Sequence, residues 1–307
     1  MSAVQGPGDQ LAWGATWPSR EDFVALAAEH HRVIPVVRRL LVDDVTPVSL
    51  YRTLAEGEPG TFIMESAPIG GGWSRWSFVG VRSRATLTVD GDDARWLGDV
   101  PEGVPTHGDV LDVLGRTLEV LATPRIEGLP PFTGGLAGSL GWDVVRHWEP
   151  TLVRSTPTEV DVPEVALCLA SDVAAVDHLT GSVWLVANAI NYDATDERVD
   201  EAYADALARL DAMERKLVEG RGTSAEVPVV LGDAPEPQLE FRTARADFEA
   251  AVDAAKVAIV DGEVFQVVLS QRLDLDCPAS PLDVYRTLRT INPSPYMYYF
   301  ELTDAAG

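Results

Sequence analysis

Apolar positions change period repeatedly along this chain, and each change marks an element. Ser19-Arg20-Glu21-Asp22-Phe23 reads as a capping serine with an acid three residues on, followed by Phe23, Leu26 and Ala27 at helical spacing. A β-rich run, Val33 to Val37, comes next. Thr46-Pro47 then opens a second helix with Leu50 and Leu54 on one face, its proline at the tolerated first position. Thr61 to Glu65, Ser77 to Val81 and Thr86 to Val89 read as strands. From Val110 to Leu121 the apolar positions 110, 111, 114, 118 and 121 define a helix face. Residues 165–176 and 182–189 are apolar runs joined by Asp177-His178-Leu179-Thr180-Gly181, a hairpin pattern.

From Thr195 to Glu219 the positions Val199, Ala202, Ala206, Leu210, Met213 and Leu217 recur at three and four, the signature of a long amphipathic helix. Residues 220–240 then carry Gly, Ser and three prolines without periodicity, which places a linker there and predicts two regions, 1–238 and 239–307. The second region begins with a helix capped at Thr243 (Phe248, Val252, Ala255, Ile259) that stops at Gly262. A strand from Val264 to Leu273, a helix from Ser280-Pro281 to Ile291 and a strand from Tyr296 to Leu302 follow. Strands and helices mix without regular βαβ alternation, so the fold class is α+β. The last strand is followed by a turn, Thr303 to Gly307, and by no partner strand, so the sequence reads as stopping short.

Composition narrows the function classes. With 307 residues, 46% apolar and 23% charged, the chain is an ordinary globular one of about two domains. Against 48 acidic side chains stand 24 basic ones, a net charge of −24. Such a chain lacks the clustered cations that nucleic acid requires, and it repels anionic lipid, so neither is expected as a partner. No basic segment followed by an apolar stretch opens the chain, and no apolar run approaches the ~20 residues of a membrane span, so a cytoplasmic location is expected. The two cysteines, Cys168 and Cys277, carry no CxxC or HExxH context; Cys168, in an apolar run, reads as a buried inert thiol.

Four segments depart from plain patterning. Phe62-Ile63-Met64-Glu65-Ser66 leads into a glycine-rich loop (Gly70, Gly71, Gly72) and then Arg75-Trp76-Ser77-Phe78-Val79-Gly80. A carboxylate and a hydroxyl at a strand end beside loop amides suit a zwitterion, although a hairpin with a mobile tip explains the same spacing. The run from Pro131 to Asp143 is glycine-rich but lacks the strand–turn–helix context of a dinucleotide fingerprint and the GK[ST] of a phosphate loop, so structural glycines are expected. Asn292-Pro293-Ser294-Pro295-Tyr296-Met297 fixes a rigid extended bend entering a strand. Gln266 to Arg272 alternates polar and apolar side chains, as a pocket-lining strand or a strand with one exposed face would. The five histidines lack partners at ligand spacing, and Asp90-Gly91-Asp92-Asp93 reads as a hairpin turn rather than a calcium loop.

Taken together, these segments resemble component I of anthranilate synthase, a chorismate-using family. Its Leu-Leu-Glu-Ser and Arg-Tyr-Ser-Phe-Ile-Gly blocks read here Ile63-Met64-Glu65-Ser66 and Arg75-Trp76-Ser77-Phe78-Val79-Gly80. The Phe-x-Gly-Gly-x-x-Gly block, Asp161-Val162-Pro163-Glu164, Gly262 to Val268 and Asn292 to Met297 follow in family order, from about residue 20 to the end. Departures include Met64 for leucine, Trp76 and Trp142 for tyrosines, and Ser139 for an aromatic; Trp76 would alter the effector pocket.

The resemblance implies a chorismate-binding fold of large mixed or antiparallel sheets flanked by helices, incomplete at its C-terminus. Residues 1–238 would form the tryptophan-sensing domain and 239–307 the start of the catalytic one. It implies conversion of chorismate to anthranilate and pyruvate, with Mg²⁺, ammonia from a glutamine amidotransferase partner (component II), and inhibition by L-tryptophan. Carried over by position, the inhibitor site is Ser66, Pro295, Tyr296 and Met297, with Glu65 adjacent, while metal and most chorismate ligands fall beyond residue 307. Gln266 stands where water-adding relatives carry lysine. An amide cannot deprotonate water, whereas ammonia brings its own lone pair, so amination is favoured over hydroxylation. Aminodeoxychorismate synthase component I and a non-catalytic tryptophan-binding fragment remain the alternatives.

Overall fold

The computed structural model describes residues 6–8, 11–66, 75–123, 125–149, 151–152, 159–220 and 237–303. The glycine-rich loop at 70–72 and most of the proline-rich linker lie outside these. The chain divides into two units: Met1–Glu226 with Leu288–Gly307, and Val227–Thr287.

The first unit opens with β1 (Thr16–Trp17), α1 (Arg20–Ala28), β2 (Val33–Leu41) and α2 (Pro47–Leu54). Both helices begin as their sequences direct. Ser19 Oγ accepts the Asp22 amide at 3.1 Å, and Thr46 and Ser49 cap reciprocally ahead of Pro47. Next come β3 (Thr61–Glu65), β4 (Trp76–Asp90), β5 (Asp93–Gly98), α3 (Val110–Val120) and β6 (Gly135–Leu140). The hairpin β7 (Val165–Asp177) and β8 (Ser182–Ile190) precedes the long helix α4 (Val199–Glu219). β11 (Met297–Glu301), the last strand of the chain, returns to this unit.

Among the described residues these strands form one nine-stranded sheet in the order β1-β2-β8-β7-β4-β3-β11, every neighbour antiparallel, with β5 added to β4 and β6 to β7. The strands expected at 77–81 and 86–89 are one strand, β4. Its pairing with β7 shifts register between Gly80 and Thr86, and these irregularities bend the sheet without ending the strand. One end of β4 can therefore pair with β3 and the other with β5. Every residue of β7 and β8 is buried, which is why their sequences read as continuous apolar runs.

Helix α4 lies across β8 and β2 through Ala206, Leu210, Met213 and Leu217, the stripe its periodicity foretold. It starts at Val199 rather than Thr195, because Asp193 and Thr195 engage residues 193–197 in local turns. Arg209 is buried in the same stripe. It meets the Asp172 carboxylate, donates to the Asn188 carbonyl at 2.8 Å and pairs with Asp205 at 2.9 Å. The α3 face is rotated from expectation: Val110, Val113 and Thr117 are buried while Leu118 is exposed. Thr117 accounts for this, since its hydroxyl satisfies itself on the Val113 carbonyl at 2.7 Å and buries like an apolar residue.

The glycine block does structural work, as expected. A Cβ at Gly138 would stand 2.0 Å from the Ala166 carbonyl oxygen, so β6 could not lie against β7 with a larger residue there. Cys168 is fully buried, donates its thiol to the Ala137 carbonyl at 3.0 Å, and burial raises its pKa. Asp90 and Asp93 bracket a tight hairpin turn, with Gly91 at φ 65°.

The second unit contains β9 (Glu240–Phe241), α5 (Arg245–Val260) and β10 (Leu273–Asp274); α6 (Pro281–Ile291) begins in it. Helix α5 forms where its periodicity placed it and Gly262 ends it at φ 78°, but its N-cap is Ala244 rather than Thr243. The strand expected from Val264 to Leu273 is extended chain that pairs at Leu273 and Asp274 alone, with β9. Strand sequence without neighbouring strands does not make a ladder.

Candidate functional site

Two sequence-predicted segments meet at one edge of the sheet. β11 pairs with β3 along its whole length, Met297 opposite Glu65 and Glu301 opposite Thr61. The final strand therefore has a partner, drawn from 232 (Glu65 to Met297) to 240 (Thr61 to Glu301) positions earlier in the chain, and among the described residues its other side is an edge of the sheet. The approach to β11 is dictated locally. Helix α6 ends at Ile291, ahead of Pro293 and Pro295, each lacking an amide hydrogen and with φ fixed, and the chain bends at Pro295 and Tyr296 before it enters β11 at Met297.

This pairing brings Glu65, Ser66, Pro295, Tyr296 and Met297 into one place. Ser66 Oγ donates to the Pro295 carbonyl at 2.9 Å. Met297 is buried and Tyr296 is exposed. The Glu65 side chain is 11% exposed and takes Arg289 Nη2 at 3.2 Å, an ion pair that neither motif announced. A carboxylate and a thioether thus lie opposite each other on one face of the strand pair, with a hydroxyl and an exposed aromatic ring at the adjoining positions. They suit a ligand with an ammonium group and a flat apolar body.

The strands beneath this edge are fixed by aromatic and ionic packing. Phe62 lies 5.1 Å from Phe300 and 6.2 Å from Phe132, centroid to centroid, and Phe78 lies 5.6 Å from Phe132. Trp76 stacks on Phe78 at 6.4 Å, and the Arg75 guanidinium stands 4.9 Å from the Trp76 ring. Arg75 also grips Asp177 with two hydrogen bonds, 2.9 and 2.8 Å. Burial alone would raise the Asp177 carboxyl; Arg75, Thr180 and the Leu179 amide hold it below its ordinary value instead. At the far end of β11 the buried Tyr51 hydroxyl donates to Glu301 at 2.8 Å and lies 3.1 Å from Thr61 Oγ1. Burial and the adjacent Glu301 raise the phenol pKa, so this donor keeps its proton. A cleft of about 1320 Å³ opens nearby, lined by Trp76, Phe132, Trp184 and Asn188 among others; the five predicted site residues do not line it.

Gln266 is exposed in the second unit, on the stretch between α5 and β10. Among the described residues, no group of three or more His, Cys, Asp or Glu side chains converges as a metal ion needs, so these residues offer no seat for Mg²⁺. Sequence reading missed Arg289, Tyr51 and Glu301. Arg289 carried one faint signal, a cation three residues before Asn292; the other two carried none. His147, which has no partner at ligand spacing in the sequence, lies 2.6 Å from Asp109 and 3.6 Å from Glu164.

Comparison with known proteins gives the family. Residues 61–306 match the model of the chorismate binding enzyme family. The chain is 52% identical over 296 residues to "Anthranilate synthase component 1" of Arthrobacter globiformis, covering 96% of this chain and 55% of that one. It is 48% identical over 289 residues to the protein of the same name from Mycolicibacterium smegmatis, covering 94% and 54%. Among solved structures, anthranilate synthase component I from Streptococcus pneumoniae TIGR4 shares the fold, with a TM-score of 0.56 at 22% identity, over 83% of this chain and 52% of that one. This chain belongs to the chorismate-binding enzyme family. It spans about half the length of the curated relatives it matches. No helix among the described residues is long and apolar enough to cross a membrane.

Proposed function

We propose that this chain serves the large subunit of an anthranilate synthase, which converts chorismate and ammonia to anthranilate, pyruvate and water under inhibition by L-tryptophan. The observation that carries this reading is the 52% identity to an anthranilate synthase component 1 across 96% of the chain. The meeting of Glu65 and Ser66 with Pro295, Tyr296 and Met297 supports the inhibitor site: the carboxylate faces the ammonium of an amino acid, and Met297 and Tyr296 take the indole. Ammonia would come from a glutamine amidotransferase partner in the cytoplasm, and Mg²⁺ is the cofactor the resemblance implies. Gln266 supports amination over hydroxylation, because its amide is no base toward water.

The test is fluorescence-detected anthranilate formation by the protein expressed from its complete gene, with chorismate, ammonium and Mg²⁺, followed by an L-tryptophan titration. Anthranilate formed and suppressed by tryptophan is the expected result. Aminodeoxychorismate or isochorismate as product would overturn the reaction assignment, and tryptophan binding without turnover would leave the chain a sensor only.

A further inference from the structure

We infer that Arg289 is a positioning residue of the tryptophan site, holding the Glu65 carboxylate in the orientation that receives the ligand's ammonium group; this rests on the inhibitor-site reading above. Glu65 is the last residue of β3, and its side chain is mostly buried. A glutamate there has free torsions unless something fixes them. Arg289 Nη2 sits 3.2 Å from Oε1 and is itself two-thirds buried. Arg289 stands in the last turn of α6, three residues before Asn292, so the segment that delivers Pro295 to Met297 also delivers the cation for Glu65. One piece of chain therefore supplies the apolar wall of the site and sets its charged group.

The electrostatics permit the arrangement. An ionised carboxylate has about four acceptor positions, so a guanidinium and an ammonium can share it on different lone pairs. Arg289 also gives the largely buried Glu65 side chain a cationic partner before any ligand arrives. By helping to hold the carboxylate before binding, Arg289 leaves less of its freedom for the ligand to immobilise. Fixing one such side chain is worth roughly three- to ten-fold in affinity.

The test is a double-mutant cycle read as tryptophan inhibition of anthranilate formation by the protein expressed from its complete gene. Arg289→Met should raise the half-inhibitory tryptophan concentration roughly three- to ten-fold. Arg289→Lys, which restores the charge, should recover most of the loss. In a Glu65→Gln background, Arg289→Met should add less than about two-fold, because its effect passes through Glu65. An equal loss in both backgrounds, or unchanged or tighter inhibition in Arg289→Met, overturns the inference. If Arg289→Met does not fold, Arg289→Gln and Arg289→Lys give the same cycle. Glu65→Gln and Ser66→Phe with wild-type inhibition would instead show that the inhibitor-site reading itself has failed.

Discussion

Ser66 and Pro295 lie 229 positions apart, and one hydrogen bond of 2.9 Å joins them. A phenyl group at position 66 removes that bond and, on the inhibitor-site proposal, fills space meant for the indole. Overpacking a tight site costs ~1–3 kcal/mol. At about 1.4 kcal/mol per decade, Ser66→Phe should weaken tryptophan inhibition on the order of ten- to a hundred-fold. Superimposable inhibition curves for wild type and variant would remove Ser66 from the site. Arg209 is a residue-scale case with a different consequence. It stands among apolar side chains of α4 and neutralises the buried Asp172. Arg209→Met preserves the bulk and removes the cation in contact with that carboxylate, leaving only the more distant Arg82 and Arg84 to offset its burial; breaking a buried pair costs about 3–5 kcal/mol. Urea denaturation should report a loss of that size, read as the midpoint shift multiplied by the slope m, and a loss under 1 kcal/mol would mean that Asp172 finds another partner.

At the scale of elements, Asp109, His147 and Glu164 join the start of α3, the 3₁₀ turn at Trp142–His147 and the lead into β7. Burial alone would raise the Asp109 carboxyl, but His147 and the Leu111 and Asp112 amides hold it below its ordinary value. A carboxyl lowered on folding stabilises the fold above its unfolded pKa, about 3.9, and that contribution disappears as pH falls through the lower folded value. Asp109→Asn retains a competent helix cap while removing the charge. Its melting temperature should fall below that of wild type at pH 6, and the gap should close toward pH 3; a constant gap would assign the effect to capping. This cluster also shows what a single sequence conceals. Capping boxes, the α4 stripe and the β7–β8 hairpin were legible because their determinants lie within a few residues. The partners of His147 and Glu65 are brought close by sheet pairing, which no local period encodes. The α3 face was misread by one step because a threonine bonded to its own helix buries like valine. The juxtaposition of Glu65–Ser66 with Pro295–Met297 was legible through family resemblance, not through periodicity.

At the scale of the whole molecule, the two units differ in how much each buries. Every residue of β7 and β8 is buried, whereas α5 buries none of its residues fully, although Phe248, Val252 and Ala255 share a face at helical spacing. The extended stretch that follows exposes Phe265 at 104% and Val268 at 81%, with ladder pairing confined to Leu273 and Asp274. An amide in β7 is shielded by strands on both sides and by side chains on both faces, so it exchanges only when the first unit opens globally. For a domain stable by ~5–15 kcal/mol, that slows exchange by about four orders of magnitude or more. An amide in α5 needs only the local opening of a helix of 16 residues, a length near the limit at which isolated helices hold together in water. Amides at 264–272 mostly lack ladder partners and should exchange at nearly the rate of unstructured chain. Hydrogen–deuterium exchange read by mass spectrometry on this chain should therefore label 264–272 within seconds and α5 soon after. Peptides from 165–190 should remain protected for hours. Protection of 264–272 comparable to that of β7 would mean that this segment has found strand partners in solution, and that its sequence, which reads as a strand, is satisfied by them.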